Sequence, residues 1–149
     1  MINYKLVVCL LLAGIQAVAQ DPVSWQFNLR KKAGGLYELH MTASIERGWH
    51  IYSQMQPQGA IGFPIVVGWD KNPLLIMEGA VEESGVLIKH REPVLDSESW
   101  QYAGKVDLIQ VVRMKAKVKT SLSGAIRFQV CTEQKCLPPA SVDFRLWLP

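Results

Sequence analysis

Residues 34–45 read Gly-Gly-Leu-Tyr-Glu-Leu-His-Met-Thr-Ala-Ser-Ile, and from Tyr37 onward apolar and polar residues alternate. The apolar positions are Tyr37, Leu39, Met41, Ala43 and Ile45, and the positions between them are polar. Successive side chains of a β-strand point to opposite faces. The alternation therefore predicts a strand that buries one face and exposes the other to solvent.

The same two-residue period recurs along most of the chain. Longer alternating segments lie at 25–30, 106–118, 126–130 and 142–148, and shorter strand candidates lie at 49–52, 65–69, 74–78 and 86–89. Glycine and proline separate these segments, and no window of about 11 residues carries a helical stripe. Roughly seven to nine short strands predict an all-β fold, a β-sandwich of packed sheets. The stretches 54–62 and 84–99 are the longest irregular ones, and we expect them to be functional loops.

Residues 1–19 are predicted to be a secretory signal peptide. Lys5 gives a basic start, an apolar stretch of about 14 residues follows, and Ala17-Val18-Ala19 offers the small residues that a signal peptidase reads. The apolar stretch is shorter than the roughly 20 residues needed for a transmembrane helix. We therefore expect residues 20–149 to form one exported domain that is soluble after the signal is cleaved.

Size and charge narrow the function classes. A domain of about 130 residues can bury a full core, and an apolar content of 49% argues against disorder. A formal net charge of +3 gives no reason to expect a nucleic-acid partner. Only two cysteines follow the signal, and the three histidines show no metal-ligand spacing, so no metal site is predicted.

The two remaining cysteines lie in the run Ile126-Arg-Phe-Gln-Val-Cys-Thr-Glu-Gln-Lys-Cys-Leu-Pro-Pro139. Outside the cytosol such a pair can form a lasting disulfide. Alternation predicts a strand that ends at Cys131, a short connection, and a return that begins at Cys136. Facing residues of an antiparallel pair have Cα atoms about 4.5–5.5 Å apart, which lies within disulfide range.

Physical chemistry leaves two interpretations of this bridge open, a redox centre and a structural brace. A loop of about six residues gains only about 2 kcal/mol from closure, against about 4.7 kcal/mol for a 100-residue loop. A bridge at a loop tip is also easy for a partner thiolate to reach, which is the first step of exchange. Pro138 and Pro139 lack backbone N–H groups, so we expect the turn to stay open at its base and stand off the sheet.

The segment Phe128-Gln-Val-Cys-Thr-Glu-Gln-Lys-Cys-Leu-Pro-Pro139 resembles the redox motif in the N-terminal periplasmic domain of the DsbD-type thiol:disulfide interchange proteins. Upstream, Gly48-Trp-His-Ile-Tyr52 resembles that family's glycine-plus-aromatic strand, which packs beside the cysteine pair. The similarity runs from about Trp25 to Leu148. It implies an immunoglobulin-like β-sandwich with the cysteine pair at one end.

The resemblance also implies a function. An exported, periplasmic thiol:disulfide interchange protein would take electrons from a membrane-embedded thiol donor and pass them to exported thioredoxin-fold proteins, as a protein-disulfide reductase component. Cys136 would form the mixed disulfide with the partner and Cys131 would resolve it. The side chains expected to line the site are Tyr52, His50, Trp49 and Pro138. No cofactor or metal is required, and we expect a monomer.

The chain also departs from the family pattern. It ends at Pro149 without the family's transmembrane and thioredoxin domains, so we expect the electron source to be a separate protein. The family covers its disulfide with an aromatic cap, but residues 82–96 contain no Phe, Tyr or Trp, which leaves Val86, Leu87 or Ile88 as substitutes, or no cap. Two alternatives follow: an immunoglobulin-like binding or assembly module with a structural hairpin disulfide, and a domain that keeps the fold but has lost exchange.

Overall fold

The computed structural model of the protein describes residues 21–149, so the expected signal peptide lies outside the described residues. Within this range, no helix is long and apolar enough to cross a membrane. The described chain is built from strands, with a single 3₁₀ turn at Ala33–Gly35. The strands are β1 (Val23–Lys31), β2 (Leu36–Ile45), β3 (His50–Tyr52), β4 (Val66–Trp69), β5 (Leu75–Gly85), β6 (Ile88–Glu92), β7 (Ser97–Tyr102), β8 (Lys105–Met114), β9 (Thr120–Phe128), β10 (Val130–Cys131) and β11 (Ala140–Leu148).

The strands form three antiparallel sheets. The first sheet has the order β1-β2-β8-β5, the second β10-β3-β7-β6 and the third β11-β9-β4. Strands β9 and β10 are separated only by Gln129, so one path of the chain passes from the third sheet into the second. One hydrophobic cluster includes buried residues from all three sheets. The fold is therefore the predicted all-β, immunoglobulin-like sandwich.

Aromatic pairs join β1 of the first sheet to the third sheet. The Phe27 and Phe144 rings stack with their centroids 5.1 Å apart, and the Trp25 and Phe128 rings are 5.4 Å apart. The apolar residues that the alternation placed inside belong to the same core, and Leu39 and Met41 are fully buried. Burying one such side chain stabilises the fold by about 1.5–3 kcal/mol.

Gln110 breaks the apolar pattern of β8 for a structural reason. It is only 1% exposed, and its side-chain amide donates to the carbonyl oxygens of Glu78 (3.2 Å) and Gly79 (3.3 Å). The pairing of β5 with β8 shifts register between Glu78 and Glu82. The Gln110 amide therefore satisfies carbonyl groups where the ladder is interrupted, which an apolar side chain could not do.

Most predicted strands are confirmed, but three expectations were wrong or incomplete. The stretch 54–62 is irregular as predicted, whereas 84–99 is not a loop, because it contains the end of β5, all of β6 and the start of β7. Strand β7 was not predicted. Strand β8 ends at Met114, so the alternation predicted through Val118 overran the strand.

We predict that Gly124→Ala destabilises the protein. A Cβ atom at Gly124 would lie 2.1 Å from the Gly68 carbonyl oxygen and 3.0 Å from the Phe144 ring. Overpacking of this kind costs about 1–3 kcal/mol. The control is Gly68→Ala on the neighbouring strand, where the nearest atom to the new Cβ would be 3.8 Å away. Urea unfolding that gave equal losses of free energy for both variants would contradict this packing.

Candidate functional site

The cysteines form a disulfide across the hairpin that follows β10. Cys131 and Cys136 are antiparallel partners whose Cα atoms are 4.0 Å apart. Backbone hydrogen bonds flank the pair on both sides: the Thr132 N–H donates to the Lys135 carbonyl (2.7 Å), and the Leu137 N–H donates to the Val130 carbonyl (2.9 Å). The cysteines therefore occupy a non-hydrogen-bonded position, where facing residues approach most closely.

The turn itself is organised by one hydroxyl group. Thr132 Oγ1 accepts the N–H groups of Gln134 (3.2 Å) and Lys135 (3.1 Å). The Lys135 ammonium group lies 5.6 Å from the centroid of the Trp49 ring. The Thr132 hydroxyl and the Trp49 ring thus hold Lys135, the residue that precedes Cys136.

The base of the hairpin is closed, contrary to the expectation from Pro138 and Pro139. The Leu137 N–H still pairs with the Val130 carbonyl, and regular pairing resumes where Ala140 faces Phe128. The two prolines fall between these points. There the Gln129 amide donates to the Leu137 carbonyl (3.2 Å), so a side chain spans the gap in the ladder.

The two sulfur-bearing residues differ sharply in exposure. Cys131 is 1% exposed, whereas Cys136 is exposed and lines an open cleft. The cleft is walled by His50 and Tyr52 of β3, by the turn residues 132–135, and by Ile61 and Leu95. A partner approaching through the cleft meets Cys136, while Cys131 lies behind it.

His50 and Tyr52 sit on β3, directly beside the bridge. His50 faces Cys131 in the pairing of β3 with β10, and its ring contacts the Tyr52 ring edge-on with centroids 5.4 Å apart. Burial lowers the pKa of His50 below its usual value, with the Glu133 carboxylate opposing the shift. Burial, together with Glu133, raises the pKa of Tyr52. Both side chains are thus neutral at neutral pH.

No protein-family model and no curated protein matches this sequence, but solved structures match the fold. The reduced DsbD N-terminal domain of Neisseria meningitidis is 18% identical, with a TM-score of 0.52 over 82% of this chain and 83% of that one. The N-terminal periplasmic domain of ScsB from Proteus mirabilis is 14% identical, with a TM-score of 0.57 over 87% of this chain and 47% of that one. The complex between the DsbD and PilB N-terminal domains of Neisseria meningitidis gives a TM-score of 0.50 at 15% identity, over 81% of this chain and 80% of that one.

The chain has the fold of the DsbD N-terminal domain. This confirms, at the level of the fold, the resemblance that the cysteine motif indicated. The fold match carries no information about individual side chains, so the roles of the site residues rest on the geometry of this chain.

The structure brings together some of the residues that the sequence proposed for the site. His50, Tyr52 and Cys136 line one cleft. Trp49 lies under Lys135 instead, and Pro138 lines a separate apolar groove with Trp25 and Leu137. Within residues 21–149, no group of three or more His, Cys, Asp or Glu side chains is arranged to hold a metal ion.

The apolar side chains at the cleft are not those that the sequence suggested as a cap. Val86 lines a polar groove on the first sheet. Ile61 and Leu95 border the cleft instead, and they are 54% and 61% exposed. Leu95 lies in the turn between β6 and β7, and Ile61 lies in the irregular segment after β3. Both side chains reach the cleft because the segment after β3 and the turn between β6 and β7 meet there. No feature of the sequence indicated that these two segments are close in space.

Glu83 anchors the irregular segment after β3 to the sandwich. Its carboxylate accepts the hydroxyl groups of Ser53 (2.6 Å) and Tyr102 (2.8 Å) and the N–H of Gln54 (2.7 Å). Burial, and then the hydrogen bond to Glu83, raises the pKa of Tyr102. The network fixes the point where the chain leaves β3, so it positions the segment that carries Ile61 to the cleft.

Gly62 is a further site residue that the sequence did not single out. It has φ of 114°, and a Cβ atom there would lie 2.5 Å from the Tyr52 ring. The ring can occupy its place beside His50 because this position has no side chain.

We predict that Gly62→Ala destabilises the protein in two ways. The positive φ is unfavourable for alanine, and the collision of the new methyl group with the Tyr52 ring costs about 1–3 kcal/mol more. The measurement is urea unfolding of the single variant and of Gly62→Ala in a Tyr52→Leu background. In that background the collision is absent, so only the backbone cost should remain. Equal losses in the two backgrounds would show that Tyr52 does not require glycine.

Proposed function

We propose that this protein is an exported, periplasmic thiol:disulfide interchange protein that carries two electrons through the Cys131–Cys136 pair. The observation that carries the proposal is the unequal exposure of the two cysteines. One residue of the bridge faces an open cleft and the other is buried behind it, so an incoming thiolate has one sulfur to attack.

The hairpin argues against a purely structural role for the bridge. The residues on either side of the cysteines already pair through backbone hydrogen bonds, and Thr132 organises the turn. A disulfide across so short a loop adds only about 2 kcal/mol by the chain-entropy estimate. The hairpin therefore keeps its shape when the bridge opens, as a redox centre requires.

Reduction begins when a donor thiolate attacks Cys136 Sγ. The Sγ–Sγ bond breaks, Cys131 leaves as a thiolate and takes up a proton, and Cys136 is linked to the donor. The donor's second thiolate then attacks the donor sulfur of this mixed disulfide, and Cys136 leaves as a thiolate. The donor dithiol has then become a disulfide, and the pair holds two electrons.

Delivery is the reverse sequence with a different partner. The Cys136 thiolate attacks the partner disulfide, one partner sulfur leaves as a thiolate, and a mixed disulfide forms. Cys131 loses its proton and attacks Cys136 Sγ, which restores the bridge and releases the reduced partner. Lys135 precedes Cys136 and favours its thiolate form, while Glu133 opposes it.

The proposed partners are thioredoxin-fold proteins on the accepting side and a membrane-embedded thiol carrier on the donating side. Support for the first comes from the related fold in complex with the PilB N-terminal domain, which has the thioredoxin fold. In the cleft, Tyr52 and His50 border Cys136. Outside the cleft, the Trp49 ring lies against the Lys135 ammonium group, and Pro138 follows Leu137 at the base of the hairpin.

We predict that Cys131→Ser traps partners covalently, because Cys136 can still attack a disulfide but nothing resolves the product. The measurement is non-reducing electrophoresis of the affinity-tagged protein from the cells that export it, followed by mass spectrometry. Thioredoxin-fold proteins should appear as adducts that a thiol reductant releases. The matched control is Cys136→Ser, which should trap none. Equal trapping by the two variants, or by neither, would refute the proposed roles.

A further inference from the structure

His50 lies where a proton acceptor for the buried cysteine would have to be. It faces Cys131 across the pairing of β3 with β10, and directly opposed residues of an antiparallel pair have Cβ atoms about 4.5–5.5 Å apart on the same face. The His50 residue is 8% exposed and borders the cleft that Cys136 enters. Within residues 21–149, no side-chain hydrogen bond involves the His50 ring nitrogens. Neither nitrogen is a fully buried atom without a hydrogen-bond partner.

The exchange chemistry needs such a group at Cys131 more than at Cys136. Burial disfavours the charged form of a thiol and raises its pKa. Cys131 is sealed from solvent, so its proton cannot pass directly to water, whereas Cys136 is exposed. The slow proton transfer in the cycle is therefore the one that prepares Cys131 to close the bridge.

We propose that His50 is the acid–base group of Cys131. When the mixed disulfide is resolved, the neutral imidazole takes the Cys131 proton, the thiolate attacks Cys136 Sγ, and the partner leaves as a thiolate. When the bridge is reduced, the departing Cys131 thiolate takes up a proton that His50 relays from water in the cleft, and the imidazole returns to its neutral form. This inference rests on the proposed exchange function and names the residue that handles its proton.

The surroundings keep His50 in the form that this role requires. The titratable and charged groups that border the same cleft are Glu133 and Lys135 of the hairpin, His90 and Glu92 of β6, and Tyr52 of β3 itself. Burial lowers the pKa of His50, His90 lowers it further, and Glu133 raises it in part. His50 is thus neutral and ready to accept a proton at neutral pH, and it loses this capacity as the pH falls through its lowered pKa.

The test uses 5,5′-dithiobis(2-nitrobenzoate) on the chemically reduced protein, followed by stopped-flow absorbance. Cys136 attacks the reagent and releases a first thionitrobenzoate, and Cys131 then closes the bridge and releases a second. We expect His50→Gln to slow the second phase about tenfold or more at neutral pH and to change the first by less than about twofold. At alkaline pH, where Cys131 ionises unaided, the two proteins should converge.

The matched control is His90→Gln, because His90 borders the same cleft but lies 3.8 Å from Glu133 and does not face Cys131. It should behave like the wild type in both phases. The wild type alone gives a second readout: its second-phase rate should fall with an inflection below pH 6.5, the usual pKa of histidine. This readout decides the matter if His50→Gln does not fold.

A second phase in His50→Gln that matches the wild type at every pH would overturn the role of His50, as would an equal slowing by His90→Gln. A wild-type profile without the low inflection would do the same. None of these outcomes touches the exchange function, because the reagent needs no partner. Failure of that function would show instead in the trapping experiment with Cys131→Ser.

Discussion

The close approach of two strand segments at one ladder position controls the rest of the site. Cys131 and Cys136 face each other between two backbone hydrogen bonds, with Cα atoms 4.0 Å apart. The flanking hydrogen bonds and the Thr132 hydroxyl hold the two segments together without involving the sulfur atoms. We therefore expect the hairpin to keep this geometry when the bridge is reduced.

The placement of the hairpin at the point where two sheets meet gives the cysteines their different environments. β9 lies in the third sheet and β10 in the second, with Gln129 at the crossing. Cys131 ends β10 inside the sandwich beside His50, and the chain then turns out, so that Cys136 faces the cleft. In the proposed mechanism, the exposed Cys136 reacts with the partner and the buried Cys131 exchanges its proton with His50. The Glu83 network and Gly62 complete the cleft by fixing the segment that follows β3.

Sequence patterns predicted the strands that are half buried, since only these alternate. β2 and β11 were found for this reason. β7 was missed because its two faces do not contrast as those of a half-buried strand do. Ser97, Ser99 and Gln101 face the cleft, and the other face begins with the polar Glu98 before Tyr102 reaches the core. The cysteine pair and β3 were identified from local motifs. Glu83 and Gly62 act through residues distant in sequence, and no local pattern indicates such contacts.

The reduction potential of the bridge tests the central claim most directly. The protein would be equilibrated in graded glutathione buffers, with the thiol state measured by alkylation and the fold by circular dichroism. A shuttle should be reduced while it stays native, with a midpoint in the range of exchange proteins, about −270 to −120 mV. A bridge that stays oxidised down to about −300 mV in the native protein is structural, and that result would contradict the account.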